Sequence, residues 1–218
     1  MGIRYIMQNK NTIIFDFDGT LVDSGAMILA SWRHTLNALG LDEPEELAHS
    51  VIGPALRDSW HKLFGMNDDE IEHAVEIYRA HMSQNYDLIK PYDGIRELLQ
   101  ELRAQGKTLL LATARSQFSC EIILEKNDIA KYFEAVSGDV PEGGKADKAL
   151  NIKRAMEMSG VSDVSSCVMV GDMDIDVNGA KACGIECVGV LYGSGDCDRL
   201  VGADVLVGTV GELRGVLI

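Results

Sequence analysis

Residues 12–24 read TIIFDFDGTLVDS, and this segment constrains the chain more than any other. Ile13-Ile14-Phe15 is an apolar run bounded by turn residues, the pattern of a buried parallel strand. Open α/β sheets bind ligands at the carboxyl ends of such strands. Here that end carries two aspartates, Asp16 and Asp18, separated by one residue and followed by the turn Gly19-Thr20. If the strand continued, both carboxylates would point the same way and repel. A metal ion or a shared proton relieves that repulsion.

The rest of the chain divides in two. Residues 24–92 read as a helical block, with helices expected over 26–39, 44–52, 56–64 and 69–86. Met27, Leu29, Trp32, Leu36 and Leu39 recur at helical spacing, and Asn67 or Asp68 supplies a helix start. Pro91-Tyr92-Asp93-Gly94 breaks this block. Beyond it, helices over 95–105, 119–127, 147–158 and 177–183 alternate with strands over 108–112, 135–137, 167–170 and 186–190. A last strand over 204–207 precedes a C-terminal turn. Such alternation is the signature of a parallel α/β sheet. The expected fold is therefore a Rossmann-like α/β core made of residues 1–23 and 94–218, with a helical domain inserted over 24–93.

Composition excludes several roles. The chain has 218 residues, enough for a substantial core. No apolar run approaches the roughly 18 residues of a membrane helix. The start MGIRYIMQNK lacks a secretory apolar region, and Ile6 breaks the myristoylation pattern. A cytoplasmic location is the simplest expectation. The five cysteines (Cys120, Cys167, Cys183, Cys187 and Cys197) show no CxxC spacing, so free thiols are expected rather than zinc or a disulfide framework. A formal net charge of −14 opposes nucleic-acid or anionic-membrane binding. An anionic substrate must then be captured by a few local cations and a metal.

DFDGTLVDS resembles the first motif of the haloacid dehalogenase superfamily, particularly its phosphatase branch, and three later segments match the remaining motifs in order. The resemblance implies that Asp16 is a nucleophile forming an aspartyl-phosphate, and that Asp18 protonates the leaving alkoxide and then activates water. A halide leaves unprotonated, so Asp18 points to a phosphate ester. The second motif is Leu109-Leu110-Leu111-Ala112-Thr113-Ala114-Arg115. It implies phosphate binding by Thr113 and Ala114, with the Thr113 hydroxyl donating to a phosphoryl oxygen. Arg115 stands where phosphatase relatives often carry Lys. The third motif is a lysine, for which Lys145 and Lys148 compete in GGKADKAL. Lys148 fits better, in the first turn of a helix capped by Asp147, where a cation runs against the helix dipole and needs an anion. The fourth motif, VMVGDMDIDVNGAKACGI, supplies Asp172 as a metal ligand and Asp176 as its support or that of Lys148. With Asp16 and the Asp18 carbonyl, Asp172 implies a Mg²⁺ site. An EF-hand reading of DMDIDVNG fails, because Val177 replaces the required glycine and Cys183 the bidentate glutamate. Asp174 is expected to be merely exposed.

The nearest resemblance is to phosphoglycolate phosphatases and their 5′-nucleotidase-like relatives. It implies Mg²⁺-dependent hydrolysis of a small phosphorylated metabolite by a monomer or homodimer. Gly53-Pro54-Ala55-Leu56-Arg57 resembles the cap loop that faces the active site in such members, and Arg57 is the expected reader of a second anionic group on the substrate. Trp32, Trp60, His34, His61, His73 and His81 are expected to pack or to face solvent. Two alternatives remain: a sugar phosphomutase using the same aspartyl-phosphate, and a non-catalytic protein that binds a phosphorylated ligand on this fold.

Overall fold

The structure, a computed structural model, describes residues 7–54, 56–139, 147–195 and 197–218. Its elements begin with β1 (Thr12–Phe15), β2 (Val22–Asp23), α1 (Gly25–Leu39), α2 (Leu47–Val51), α3 (Leu56–Phe64) and α4 (Asp68–Gln84). Next come β3 (Lys90–Pro91), α5 (Ile95–Ala104), β4 (Thr108–Ser116), α6 (Gln117–Lys126), β5 (Ala135–Asp139) and α7 (Lys148–Ser159). The chain ends with β6 (Cys167–Gly171), α8 (Asp174–Ala182), β7 (Glu186–Val190), β8 (Val205–Val207) and α9 (Val210–Leu217). Two compact units result: Met1–Asp23 with Pro91–Ile218, and Ser24–Lys90. The division falls three residues before the expected 24–93 boundary. Pro91, Tyr92 and Asp93 belong to the first unit, where the Tyr92 amide donates to the Leu21 carbonyl at 3.0 Å.

In the first unit the strands form one parallel sheet in the order β5-β4-β1-β6-β7-β8. Successive strands of this sheet are joined by crossovers, as parallel pairing requires. One face of the sheet carries Ile14, Leu110 and Met169, buried with Ile152, Ala155 and Met156 of α7 and with Val177 and Ala180 of α8. Ile13, Phe15, Leu109, Leu111, Val168 and Val170 alternate onto the other face and are equally buried. With both faces covered, the strands read as continuous apolar runs.

Two of the differences from the sequence expectation concern β4 and the end of the chain. β4 continues to Ser116 instead of stopping at 112, with a register irregularity against β5 between Ala112 and Ser116. This irregularity falls on the second motif. The expected C-terminal turn is instead α9. Gly211 and Gly215 hide this helix from a propensity reading. The Thr209 hydroxyl caps it by accepting from the Glu212 amide at 3.1 Å, and burial of Leu213, Val216 and Leu217 holds it in place.

The second unit is helical. α1 and α4 pack together, joined by an aromatic cluster in which Trp32 stacks on Trp60 with ring centroids 3.9 Å apart. Tyr78 meets Trp32 edge-on at 6.2 Å. Both tryptophans are buried, as expected of packing residues, whereas His34, His61 and His73 are exposed. Asn67 starts α4 with a capping box: its side chain accepts from the Glu70 amide, and the Glu70 carboxylate accepts from the Asn67 amide.

Candidate active site

Strand register assembles the site. Phe15 pairs with Leu111 on one side and Val170 on the other, so the residues following these three, Asp16, Ala112 and Gly171, leave the sheet at one level. The Asp16 amide donates to the Val170 carbonyl at 2.8 Å, which fixes the direction in which the first motif departs. Thr113 and Asp172 follow one position later.

Lys148 is the hub. It is the first residue of α7, and the Asp147 side chain caps that helix by accepting from the Leu150 amide at 3.2 Å. The Lys148 ammonium contacts Asp16 Oδ1 at 2.5 Å, the Ala112 carbonyl at 3.0 Å and Asp176 Oδ1 at 2.8 Å. The ammonium thus donates to Asp16 and Ala112 and forms an ion pair with Asp176, in a place where lysine is only 6% exposed. The competing Lys145 lies outside the described residues. Asp176 accepts from the Met173 amide at 3.0 Å with its other oxygen, so its carboxylate is held on both sides and positions Lys148.

Asp172, 1% exposed, accepts from the Thr20 hydroxyl at 3.3 Å and from the Ser194 amide at 2.8 Å. The Ser194 contact places residues 192–195 in the site, which the sequence reading missed. The Tyr192 hydroxyl donates to the Thr20 carbonyl at 3.0 Å, tying this loop to the first motif as well. Three glycines, Gly19, Gly193 and Gly195, permit the approach. A Cβ at Gly19 (φ 77°) would overlap the Asp172 carboxylate, and one at Gly195 would overlap the Asp172 carbonyl. The only legible signal was the YGSG composition following the β7 run.

Asp18 is held differently. Arg115 donates from Nε to Asp18 Oδ2 at 2.8 Å and from Nη2 to Oδ1 at 2.6 Å, a two-point guanidinium–carboxylate pair. The guanidinium carbon also lies 5.8 Å from the centre of the Phe17 ring. Thr113 is buried, and its hydroxyl accepts from the Arg115 amide at 3.1 Å. Ala114 follows, half-buried, on the irregular end of β4. Asn151, one helical turn beyond Lys148, donates to the Thr113 carbonyl at 2.7 Å and supports the second motif from α7. Its i, i+3 spacing from Lys148 was the available clue. Asp174 is exposed. Arg57 lies in the other unit, where it forms an ion pair with Glu72, both side chains about half exposed.

Burial governs the electrostatics. It raises the Asp16 carboxyl more than the Lys148 ammonium lowers it, and with Asp176 and Asp18 nearby the group is pushed up to about 7. Burial, with Asp16 and Asp176 beside it, likewise lifts Asp172 well above the carboxylate range. Burial alone would depress Lys148, but Asp16 and Asp176 carry it above its ordinary value. One ammonium thus faces three buried carboxylates, Asp16, Asp172 and Asp176, whose oxygens lie within 4.8 Å of one another. A cluster of hard oxygens with excess negative charge fits a divalent cation.

The model of the haloacid dehalogenase-like hydrolases matches residues 13–190. A tyrosine-protein kinase named PtkA from Mycobacterium tuberculosis is 33% identical over 217 residues, covering 96% of this chain and 73% of the relative. A 5′-nucleotidase from Pseudomonas aeruginosa is 33% identical over 192 residues, covering 86% of each. The crystal structure of a predicted phosphatase from Clostridium acetobutylicum superposes with a TM-score of 0.87 at 32% identity, covering 94% of this chain and 96% of that one. With the strand-end aspartates, the α7 lysine and the β6 aspartate brought together on this sheet, the chain is an enzyme of the haloacid dehalogenase-like hydrolase family, on its phosphatase branch.

Proposed function

We propose that this enzyme hydrolyses a small phosphate monoester through a covalent aspartyl-phosphate on Asp16, in the manner of phosphoglycolate phosphatases. The observation that carries this reading is the Lys148 ammonium on Asp16 Oδ1 at 2.5 Å, in a buried cluster with Asp172. Lys148 fixes the carboxylate and offsets its charge, leaving the second oxygen to attack phosphorus in line. The phosphoryl oxygens are received by the Thr113 hydroxyl, the backbone at Ala114 and Lys148. As the bond from phosphorus to the ester oxygen breaks, Asp18 gives its proton to the departing alkoxide. It then takes a proton from the water that attacks the acyl phosphate, releasing inorganic phosphate and restoring Asp16. Asp16, Asp172 and the Asp18 carbonyl would hold Mg²⁺, which when bound supplies positive charge to the phosphoryl oxygens. The helical unit is the candidate cap that selects the leaving group, and Arg57 is a proposed contributor to that selection. The protein is taken as a cytoplasmic monomer or homodimer; no helix among the described residues is long and apolar enough to cross a membrane.

The test is phosphate release from a panel of phosphorylated metabolites with Mg²⁺. Wild type should release phosphate and form an acid-stable, hydroxylamine-sensitive label on Asp16. Return of the phosphate to a sugar would select a phosphomutase. Transfer to a protein tyrosine would align the chain with its kinase-named relative. Absence of both release and transfer would leave a binding protein.

A further inference from the structure

The Lys148 ammonium holds Asp16 and Asp176, whereas neutral donors hold Asp172. The Thr20 hydroxyl donates to its Oδ1 at 3.3 Å and the Ser194 amide to its Oδ2 at 2.8 Å. One donor on each oxygen fixes the rotation of the carboxylate plane, which a single donor would leave free. Neither donor belongs to the strand that delivers Asp172: one lies in the turn of the first motif, the other in the loop that follows β7. They specify one rotation only if that turn and that loop are locked together.

Tyr192 supplies the lock. Its hydroxyl donates to the Thr20 carbonyl at 3.0 Å, so Tyr192, Thr20, Asp172 and Ser194 close a circuit of contacts. The circuit is braced from outside. The Tyr192 ring meets Tyr92 edge-on with centroids 5.1 Å apart, and the Tyr92 amide donates to the Leu21 carbonyl, next to Thr20. The Leu191 amide donates to the Val207 carbonyl at 2.8 Å, which fixes the start of the loop to β8. The loop backbone lies against both partners, since a Cβ at Gly193 would overlap the Gly19 carbonyl and the Asp172 side chain. Such rigidity matters to some ions more than others. Mg²⁺ demands near-octahedral oxygens at about 2.0–2.1 Å, whereas Ca²⁺ accepts flexible arrangements at about 2.3–2.6 Å. A carboxylate free to rotate therefore costs Mg²⁺ more than Ca²⁺.

We propose that Tyr192 is a positioning residue that pins its loop to the Thr20 carbonyl, holds Asp172 in one rotation, and thereby sets the preference of the site for Mg²⁺ over Ca²⁺. This rests on the reading of Asp16 and Asp172 as metal ligands and adds the residue that tunes their choice of ion. Groups that orient a metal ligand directly carry about 10- to 100-fold in affinity. Tyr192 acts one contact further out, through Thr20 and the Ser194 amide, so its effect is smaller and selective.

The experiment titrates the full chain calorimetrically with Mg²⁺ alone and with Ca²⁺ alone, so no turnover is involved. Wild type, Tyr192→Phe, Thr20→Val and the double variant are each measured. Tyr192→Phe keeps the ring against Tyr92 and removes only the hydroxyl. It should weaken Mg²⁺ binding about 3- to 10-fold, the loss of one hydrogen bond, and Ca²⁺ binding by less than about two-fold. Thr20→Val should weaken Mg²⁺ binding about 10- to 100-fold. Losses in the double variant should fall well short of the product of the single losses, because both act on one carboxylate. Melting in chelator shows whether each variant folds. Thr20→Ser keeps the hydroxyl and should bind Mg²⁺ within about three-fold of wild type, which separates loss of the donor from a folding defect. Equal weakening of both ions by Tyr192→Phe, or losses that multiply in the double variant, overturns the proposal and leaves Tyr192 a packing residue. If wild type binds neither ion, the metal reading fails and the proposal falls with it. If wild type binds Mg²⁺ and Tyr192→Phe keeps its preference, the proposal alone fails.

Discussion

The two units of this protein bury opposite things. The sheet unit places Asp16, Asp172, Asp176 and Lys148 where water is excluded, and satisfies them with one another and with backbone amides. The helical unit buries Trp32, Trp60 and Tyr78 and keeps its ion pairs outside, as in Arg33–Glu43 and Arg57–Glu72. Buried charge is weak evidence for stability, because desolvation opposes the attraction; buried aromatic surface is strongly stabilising. The difference teaches that the polar cluster is maintained for chemistry, whereas the helical unit is held by its core.

Substitution at the nucleophile should separate these roles most sharply. Asp16→Asn should reduce kcat by at least about 10³-fold, some 4 kcal/mol of barrier, while thermal melting shows a folded protein. Retention of more than about a tenth of the activity would remove Asp16 from the covalent role.

The counterpart in the helical unit is Trp60→Ala, expected to cost about 3–5 kcal/mol by opening a cavity under Trp32, read by denaturant unfolding. Trp60 Nε1 has no hydrogen-bond partner among the described residues, so Trp60→Phe should lose less than half as much. Equal losses would mean that the indole N–H matters and the stacking argument is incomplete.

Metal and pH should act on the sheet unit. The folded-state Asp16 value of about 7 exceeds the ordinary 3.8, and Asp172 is raised as well. Between those limits the folded chain binds more protons than the unfolded one, so these groups stabilise at low pH and lose that contribution as pH rises toward 7. With chelator present, Tm should therefore fall from pH 5 to pH 8. Millimolar Mg²⁺ should raise Tm by several degrees at pH 8 and by less at pH 5, since protons compete for the same oxygens. Lys148, raised above its ordinary value, contributes no change in this window. A Mg²⁺ shift independent of pH would place the ion elsewhere, and full activity after thorough chelation would remove it from the mechanism.

The smallest effect belongs to Arg57→Ala. The exposed pair with Glu72 predicts a stability change within about 0.5 kcal/mol, and a role in selection predicts a loss of kcat/KM confined to substrates that carry a second anionic group. Equal kcat/KM on anionic and neutral substrates, unchanged from wild type, would remove Arg57 from that selection.

Much of the site was legible because its residues follow apolar strands directly. Ile13–Phe15 and Val168–Val170 announced their positions by composition, and Asp16 and Asp172 came with them. Lys148 was legible through Asp147, whose capping role fixed where α7 begins. The helix caps told the same story at Asn67. What local pattern could not reveal was any contact made across the sheet. The glycines of α9 concealed a helix that Leu213, Val216 and Leu217 stabilise only once packed.

The sequence by itself determined the alternating core, the helical insertion and the order of the four motifs, because hydrophobic periodicity and strand-end polarity are properties of neighbouring residues. Tertiary structure alone decided that Arg115 clasps Asp18 across 97 positions, that the Ser194 amide holds Asp172, and that one lysine serves both Asp16 and Asp176. Those pairings depend on strand register and on the irregular end of β4, and both are set by long-range packing that no short segment encodes.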